Sequence, residues 1–508
     1  MEKNKIKSFF TSLLPLNFLF KILVFSSTNR TRSSFTSSVT SLLLELYTEK
    51  YKYERVVLED VLEYYKLLGV VDVTIGTSNG EFYYVISEPL ITQSDIYTVL
   101  QSLQRRLKNI EEDDLKIIEA ERALSTSEYN YYKIHSGFGP LLPFIVDEKI
   151  EDISLSRVNG RVYVVHRDFS WYGWIKSNVI IDPGFVDRLA MAITRRARKH
   201  LSVTQPLAEG SIKGSIRVSV VYGDTISAHG TSIVVRKKPS EIWTITRLIN
   251  EGVIPTELAS YLWLILEKRG WVIIAGPVGA GKTTLLQAVL TLIPPNKKVV
   301  IIEDVPELTA TSDLWDVLAE RVEVFQQVSP IDSYTLLKFA LRRRPDYVVI
   351  GEVRGVEARL LVQASRLGHG VLNTIHADSV ESVIQRLTAP PISIPRNLLN
   401  NIWVIVLMSI HGNKRRVVKV SEVSSEGSLI DIYDAGKLEY FSVDHVLSRS
   451  ERLRQHYDSE SLSRELVERA LYLQRLVSRG VFQQYDLALK ITEYYSTRLH
   501  STIRVEGV

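Results

Sequence analysis

The chain has 508 residues, of which 45% are hydrophobic and 24% charged, and its 62 Lys and Arg against 58 Asp and Glu give a net charge of +4. This length suffices for roughly three or four domains, and the composition is ordinary for a packed soluble protein. The small net charge gives no argument for a nucleic-acid partner. The absence of cysteine excludes disulfides, thiolate zinc sites and cysteine nucleophiles.

An apolar run follows a basic start at residues 9–25 and is typical of a signal peptide or a membrane anchor. Pro15, Asn17 and Lys21 interrupt the run, which falls short of the roughly 18 to 20 clean apolar residues that a membrane span needs. Two alternatives to true insertion therefore stay open: an interfacial helix and a mis-assigned start codon. We expect residues 1–45 to combine this segment with a flexible Ser/Thr tether, and the rest of the chain to be soluble.

Residues 46–129 mix strand and helix signals and predict a small α/β domain. Beyond Ser94, which is placed to cap a helix, apolar residues recur at spacings of three and four. They are Ile96, Val99, Leu100, Leu103, Leu107 and Ile110. This spacing predicts a helix with one apolar face.

Residues 130–240 predict a second, α+β domain made of short strands and turns. The stretch "VNGRVYVVH" carries Asn159-Gly160, a hairpin signal, and "EDISLS" and "TSIVVRKK" are further strands. One long helix is predicted near Phe185 to Lys199.

Residues 241–410 alternate apolar strands with amphipathic helices. The strands "WVIIAG", "VVIIED", "YVVIG" and "VLNTI" lack the period-two alternation of a half-solvated strand. Both faces should therefore be covered, which indicates a parallel sheet in an α/β domain.

Residues 411–508 predict a strand, "RRVVKVSEV", followed by a helical tail. In the tail one face is apolar, and Gly480 is placed to end the helix. The residues on that face are Leu462, Leu466, Ala470, Leu473 and Val477.

The segment "GPVGAGKTT" fits the phosphate-binding pattern G-x-x-x-x-G-K-[ST], and it lies between a predicted strand and a predicted helix, the context that the pattern demands. Its glycines let backbone N–H groups turn inward around phosphates, and Lys282 and Thr283 would contact the β and γ phosphates and Mg²⁺. The predicted nucleotide-binding residues are Gly276, Pro277, Val278, Gly279, Ala280, Gly281, Lys282, Thr283 and Thr284.

Acidic side chains follow two other predicted strands. Glu303, Asp304 and Glu307 come after "VVII", and Glu352 comes after "YVVIG". Acids at the carboxyl ends of strands face the ligand crevice of an α/β sheet, where they can hold magnesium or orient water. Acids that merely cap helices are an equally open interpretation of the first group. A lone glutamate after a strand can cap a helix, but beside a phosphate-binding loop the pattern favours Glu352 as a base for the attacking water.

The stretch "GHGVLNTIHADS" supplies His369 and His376 around another strand. A single histidine is usually a core residue. One at the end of this strand would instead point at the γ-phosphate, where it can sense whether that phosphate is present.

Together these four blocks resemble the type II/type IV secretion ATPase superfamily, the hexameric motors of pilus assembly, of type II and type IV secretion and of the archaeal flagellum. The wording of "LRRRPDYVVIGEVRG" and "GHGVLNTIHADS" is similar to the archaeal branch. The resemblance covers about residues 130–500. It implies a RecA-like P-loop NTPase domain preceded by a smaller α+β domain, with helical N- and C-terminal extensions.

The resemblance also implies roles for residues. ATP and Mg²⁺ are the expected ligands, with Thr283 on the metal, and either Glu307 or Glu352 would be the general base. Clamp arginines correspond to Arg217 and Arg236, although Ile216 stretches the usual Gly-Ser-Arg pattern before Arg217. A P-loop ATPase usually has Asp where Gly351 stands, and in this family Thr283, water and the Glu303–Glu307 acids take over its work.

The sequence thus predicts a cytoplasmic, membrane-associated homo-hexamer that binds ATP between its second N-terminal domain and its RecA-like domain. It would act on a polytopic membrane partner, and it lacks the four-cysteine zinc module of some bacterial members. A DNA-handling translocase is the alternative, since RecA-like rings also pump nucleic acid. The sequence shows no basic stripe with interleaved aromatic residues, which weighs against direct DNA contact.

Overall fold

A computed structural model of the chain describes residues 50–92, 94–95, 123–213, 215–238, 242–321, 330–411, 414–437 and 441–505. The predicted apolar run and tether lie outside the described residues, as does nearly all of the helix predicted after Ser94. The chain divides into two compact units, Met1–Pro239 and Ser240–Val508. Among the described helices, none has both the length and the apolar character that crossing a bilayer requires.

One mixed sheet of ten described strands organises the first unit. Its strands in chain order are β1 (Tyr51–Tyr53), β2 (Asp60–Leu67), β3 (Val71–Ser78), β4 (Glu81–Ser87), β5 (Ile150–Ser156), β6 (Arg161–His166), β7 (Ile175–Ile181), β8 (Leu207–Ile212), β9 (Ile216–Val221) and β10 (Ser232–Lys237). Their order across the sheet is β2-β3-β4-β7-β6-β5-β10-β9-β8, with β1 also paired to β7. The β4–β7 pairing is parallel.

The α-helices described in this unit are α1 (Thr126–His135), α2 (Leu142–Val146) and α3 (Pro183–Arg196). Helix α3 is the one predicted near Phe185. It begins early because Asp182 accepts a hydrogen bond from the Phe185 N–H and Pro183 occupies the first turn. Its buried residues join the sheet in one hydrophobic core.

The predicted hairpin at Asn159-Gly160 is confirmed, since it joins β5 to β6. Gly160 has a φ of +60°, and a Cβ there would lie 2.0 Å from the Ile181 carbonyl oxygen. Only glycine fits this close approach of two backbones.

The boundary that we predict near residue 130 falls between strands that share one sheet. Strands β2 to β4 precede it and β5 to β10 follow it, and the parallel contact of Tyr83 with Lys176 and of Tyr84 with Ser177 joins the two groups. The limits of the N-terminal domains stay predictions.

The second unit contains an eight-stranded described sheet. Its strands are β11 (Trp271–Gly276), β12 (Val299–Glu303), β13 (Trp315–Ala319), β14 (Tyr347–Ile350), β15 (Gly370–His376), β16 (Ile402–His411), β17 (Lys414–Val423) and β18 (Leu429–Asp434). Its helices are α4 (Ile245–Asn250), α5 (Thr256–Glu267), α6 (Lys282–Leu290), α7 (Ser333–Ala340), α8 (Glu357–Arg366), α9 (Val380–Thr388), α10 (Val443–Arg449), α11 (Glu451–Arg454), α12 (Ser459–Ser478) and α13 (Gln484–Val505).

The predicted parallel sheet with two covered faces is confirmed. The strand order is β13-β12-β14-β15-β11-β16-β17-β18, and the pairings from β13 to β16 are parallel. All residues of β11, β12 and β14 are buried. Successive residues of β11 alternate between two cores: Val272 and Ile274 enter the one that contains α5 and α6, and Ile273 and Ala275 enter the one that contains α8 and α9.

The C-terminal strand and helical tail are also confirmed, as β17 and α12. The apolar face of α12 differs by one position from the prediction, because Leu476 is buried and Val477 only half-buried. Buried Arg469 on this helix forms ion pairs with Glu267 of α5 and with Glu465. The tail therefore packs on the same side of the sheet as α5.

Replacing Gly370 with Ala should destabilise the second unit. A Cβ at residue 370 would lie 2.3 Å from Cδ1 of Tyr347, whose buried ring is fixed by a 2.6 Å hydrogen bond from its hydroxyl to the Leu266 carbonyl. Overpacking of this kind costs about 1 to 3 kcal/mol of unfolding free energy. Urea denaturation of the purified variant measures the loss. The matched control is Gly436→Ala, where the nearest atom lies at 3.4 Å. Equal stability of both variants would contradict the packing argument.

Candidate functional site

The predicted phosphate-binding segment forms the turn between β11 and α6. Gly279 and Gly281 have φ values of +77° and +88°, and Gly281 caps the N-terminus of α6. A Cβ at Gly276 would lie 2.6 Å from the Met408 carbonyl oxygen. The glycines thus give the loop a backbone shape that side chains would prevent, with the amides of the first turn of α6 at its end.

The other predicted blocks converge on this loop because parallel strands end at one edge of a sheet. His376 ends β15 directly opposite Gly276 of β11. Glu303 ends β12 and Gly351 follows β14, so both residues come directly after the last paired residues of these two neighbouring strands. Strand β15 separates β11 from β14, so His376 stands between the phosphate-binding loop and Glu352.

A chain of charged and polar contacts runs along this edge. Lys282 Nζ lies 3.1 Å from His376 Nδ1, and His376 Nε2 lies 3.2 Å from Glu352 Oε1. The other carboxylate oxygen of Glu352 accepts a 2.8 Å hydrogen bond from Arg354, whose guanidinium also lies 3.4 Å from Asp304. The structure thus brings together three predicted site residues and adds Arg354.

His376 is held as a neutral imidazole in this arrangement. Burial first, and then the positive charge of Lys282, lower the pKa of His376. The Lys282 ammonium donates to Nδ1, so the ring proton belongs on Nε2, which donates to Glu352. Burial also lowers the pKa of Lys282, against the attraction of Glu352. The Lys282 Nζ additionally donates to the Pro277 carbonyl at 2.9 Å.

Glu352 is held as a carboxylate. Burial acts to raise its pKa, but the hydrogen bond and charge of Arg354, with the neighbouring His376 ring and the charge of Lys282, outweigh burial and lower it. The same contacts that fix the carboxylate therefore reduce its basicity.

Glu303 occupies the space beside Gly351. A Cβ at residue 351 would lie 3.0 Å from Glu303 Cγ and 3.5 Å from its Oε1. A side chain at this strand end would crowd Glu303, which is buried. The carboxylate at this point of the sheet edge consequently comes from β12 and not from β14.

The Glu303 carboxylate shapes the loop that carries the other acids. It accepts 3.0 Å hydrogen bonds from the N–H groups of Glu307 and Leu308. Glu307 and Asp304 are half-buried on this loop. Glu303 thus fixes the backbone at Glu307, the second candidate base.

Thr374 of β15 fixes the backbone just before Glu352. Its hydroxyl donates a 2.5 Å hydrogen bond to the Gly351 carbonyl, and its own carbonyl accepts from the Val353 N–H at 2.9 Å. The neighbouring Asn373 accepts a 2.8 Å hydrogen bond from the Trp271 indole inside the sheet. Asn373 is therefore satisfied as a core residue.

His369 lies apart from this site. It precedes β15, whereas His376 ends that strand, and its Nδ1 lies 2.8 Å from the Pro345 carbonyl oxygen. The two ends of one seven-residue strand are about 20 Å apart. Of the two histidines, only His376 is at the phosphate-binding edge.

Arg217 and Arg236 belong to the first unit, where they are direct cross-strand neighbours on β9 and β10. Arg217 forms a hydrogen bond to Glu209 at 2.5 Å, and Arg236 forms one to Asp152 at 3.0 Å. The two arginines thus lie directly opposite each other on neighbouring strands, despite the inserted Ile216. Their role at the nucleotide stays a prediction.

Sequence reasoning missed two residues of the site. Arg354 stands in the quoted motif "GEVRG", and its distance of two residues from Glu352 was a usable signal. Arg415 lies beside Gly281, with its Cδ 3.6 Å from where a Cβ on that glycine would be. No local signal marks Arg415, because it reaches the loop through a hairpin that starts more than a hundred residues later in the chain.

The residues present fit a nucleoside triphosphate with Mg²⁺. The glycine turn, the buried Lys282 and the first turn of α6 form a cradle for phosphates. Thr283, half-buried in that first turn, has the hydroxyl that a P-loop uses for the metal.

Comparison with known proteins finds a family described as "Type II/IV secretion system protein" whose sequence profile matches residues 209–416. An uncharacterized protein of Methanocaldococcus jannaschii is 30% identical over 72% of this chain and 68% of its own length. A second from that organism is 43% identical over 37% of this chain and 70% of its own. The type IV secretion system protein PtlH of Bordetella pertussis is 28% identical over 55% of this chain and 92% of its own length.

Solved structures also match. The ATPase DotB of Legionella pneumophila is 16% identical, with a TM-score of 0.41, over 66% of this chain and 86% of its own. The pilus retraction motor PilT is 17% identical, with a TM-score of 0.39, over 69% of this chain and 95% of its own.

Replacing Thr374 with Val should slow turnover without weakening nucleotide binding. Valine cannot donate to the Gly351 carbonyl, so the backbone that sets Glu352 loses its support. Small displacements of a catalytic group cost about 10- to 100-fold in rate. Single-turnover ATP hydrolysis and nucleotide affinity, measured on the same sample, separate the two effects. Thr374→Ser should restore the rate. Thr388→Val, which removes a hydroxyl that bonds its own helix, is the matched control. An unchanged rate in Thr374→Val would show that this hydrogen bond does not position Glu352.

Proposed function

Because the chain belongs to the type II/type IV secretion ATPase superfamily, we propose that it is an ATP-hydrolysing hexameric motor. The motor drives the assembly or retraction of pilus-like filaments, or protein secretion, through a membrane partner. The observation that carries this proposal is the continuous contact of Lys282, His376 and Glu352 beside a phosphate-binding loop. It joins the group that would bind a terminal phosphate to the group that would activate water.

The loop and α6 bind the triphosphate in this proposal. Lys282 neutralises the β and γ phosphates, and Thr283 holds Mg²⁺. An ion held there would supply further positive charge to the phosphates. The N-terminus of α6 adds its positive end to the same site.

Glu352 is the proposed general base for the attacking water. Its carboxylate is half-buried, ionised and fixed by His376 and Arg354. A base works best when its pKa lies near the working pH. Loosening the Arg354 contact would raise the basicity of Glu352, so the position of Arg354 would tune the rate. Glu307 stays the alternative base.

His376 is the proposed sensor of the terminal phosphate. It contacts Lys282 through one ring nitrogen and Glu352 through the other. A phosphate that draws the Lys282 ammonium toward itself weakens the first contact. The change reaches Glu352 through the ring.

Arg217 and Arg236 are the proposed clamp arginines. Like charges directly opposite each other on neighbouring strands are destabilising, and here Glu209 and Asp152 offset them. Such a pair presents two guanidinium groups together, a geometry suited to phosphate. An arginine on the transition state is worth about 10³ to 10⁵ in rate.

The membrane partner and the ring are inferred from the family. PtlH carries a type IV secretion system name, and PilT is named a pilus retraction motor. We propose a homo-hexamer in the cytoplasm that is bound peripherally to the membrane and contacts a polytopic platform protein.

Two variants test the ATPase assignment. Lys282→Ala should abolish Mg²⁺-dependent ATP hydrolysis, because the phosphates lose their buried cation. Glu352→Gln should still bind ATP but hydrolyse it about 10² to 10⁴ times more slowly, since it keeps the shape of the site and loses the base. Steady-state hydrolysis, with and without EDTA, and nucleotide affinity measure both.

Lys297→Ala is the control for the lysine variant, because Lys297 lies in a turn just before β12, at the edge where the parallel strands begin and opposite the edge of the loop. Full activity in Lys282→Ala would overturn the assignment of the loop. A weaker affinity with an unchanged rate in Glu352→Gln would make Glu352 structural.

Deleting residues 1–40 should change membrane binding and leave hydrolysis within about twofold, because no residue of the site is lost. The basic start and interrupted apolar run suit shallow insertion beside anionic headgroups. Flotation with anionic liposomes checks membrane binding, and an ATP hydrolysis assay checks activity, each on the full chain and on the deletion. Loss of hydrolysis or of folding in the deletion would show that this segment belongs to the folded core.

A further inference from the structure

The hairpin of β16 and β17 extends past the end of the phosphate-loop strand. Strand β16 pairs in parallel with β11 as far as Leu407 opposite Ala275, and then continues to His411. Strand β17 returns with Arg415 opposite Ile410. Since β11 ends at Gly276, the tip of this hairpin lies at the edge of the sheet that carries the phosphate loop.

Two side chains of the hairpin lie against that loop. A Cβ on Gly281 would be 3.6 Å from Cε of Met408 and 3.6 Å from Cδ of Arg415. Met408 is buried in the core that contains α5 and α6, and Arg415 is half-buried. The guanidinium begins at the atom bonded to Cδ, so the charged group starts one bond beyond a carbon that lies against the residue that caps α6.

Arg415 stands on the opposite side of β11 from the hydrolytic residues. Glu352 and His376 lie on the side of β14 and β15, whereas β16 and β17 flank β11 on its other side. A triphosphate whose terminal phosphate lies between Lys282 and Glu352 must extend its nucleoside away from β14 and β15. That direction leads to the hairpin.

We propose that Arg415, supported from below by Met408, forms the subsite for the nucleoside of the bound nucleotide. This inference rests on the proposed function, namely that ATP binds at the loop. The planar guanidinium of arginine stacks on aromatic faces, and a purine base offers such a face. Arg415 supplies affinity and takes no part in the bond-breaking step.

The experiment compares Arg415→Ala with the unchanged chain on two ligands, ATP and inorganic tripolyphosphate, which lacks the nucleoside. The KM for ATP should rise about tenfold, as expected for loss of a partly desolvated stacking contact. The kcat should stay within about twofold, because the contact is equal in ground and transition states. The Kd for tripolyphosphate should not change. Arg415→Lys, which keeps the charge and loses the planar group, should also raise the KM and shows whether charge alone suffices.

Arg416→Ala is the matched control. Arg416 is the next residue of β17 and is exposed, and the alternation of side chains along a strand points it to the face of the sheet opposite Arg415. The Arg416→Ala variant removes the same charge from the same strand, and it should leave the KM for ATP unchanged.

Three results would overturn the subsite. They are an unchanged KM in Arg415→Ala, an equal loss of affinity for ATP and for tripolyphosphate, and an equal rise of KM in Arg416→Ala. The second result would make Arg415 a phosphate ligand. Lys282→Ala, assayed in parallel, keeps the two proposals apart: if it abolishes hydrolysis while Arg415→Ala changes nothing, the ATPase assignment stands and only the subsite fails.

Discussion

The contact of His376 with both Lys282 and Glu352 is the interaction on which the rest of the site depends. It exists because β15 lies between β11 and β14, so the last residue of β15 can face both neighbours. One ring nitrogen accepts from the lysine and the other donates to the glutamate. Burial lowers the pKa of His376, and the neutral ring can both accept and donate. The order of the strands therefore sets the electrostatics of the site.

A second constraint concerns Gly351 and Glu303. The two residues stand side by side at the ends of neighbouring strands, and a Cβ on residue 351 would lie 3.0 Å from Glu303 Cγ. Glycine at position 351 avoids this close contact with Glu303. The consequence is a division of labour in which Glu303 holds the backbone of the acidic loop and Glu352, one residue later, is free to face His376 and Arg354.

Much of the second unit could be predicted from the sequence. Apolar strands without alternation identified the buried parallel sheet, the glycine-rich motif gave Lys282, and the ends of the strands gave Glu303, Glu352 and His376. What local pattern could not give is contact between distant segments. The hydrogen bond of Thr374 to Gly351, like the approach of Arg415 to Gly281, depends on the order of strands in the sheet. The β18 strand was missed because its residues follow a turn and are only partly buried.

In the first unit the sequence predicted the hairpin at Asn159-Gly160, the helix α3 and the strand that carries Arg236, and the resemblance supplied Arg217. The sequence could not show that the strands of the two arginines lie in register, because the register depends on the pairing of β9 with β10. Neither could it show that β2 to β4 join the same sheet. A parallel pairing of two short segments almost a hundred residues apart has no signature in either segment.

The single sheet of the first unit has a mechanical consequence. A hydrogen-bonded ladder connects β2 at one edge with β8 at the other, and Arg217 and Arg236 lie near the second edge. A pull applied to the early strands reaches the later ones through β7, which pairs with β4 over two described residue pairs and with β1 over three. The Asn178 side chain of β7 strengthens the first of these junctions, because it accepts a hydrogen bond from the Ile86 N–H and donates one to the Ile86 carbonyl. Within this sheet, β7 is therefore the strand that transmits force between the early strands and the strands of the arginine pair.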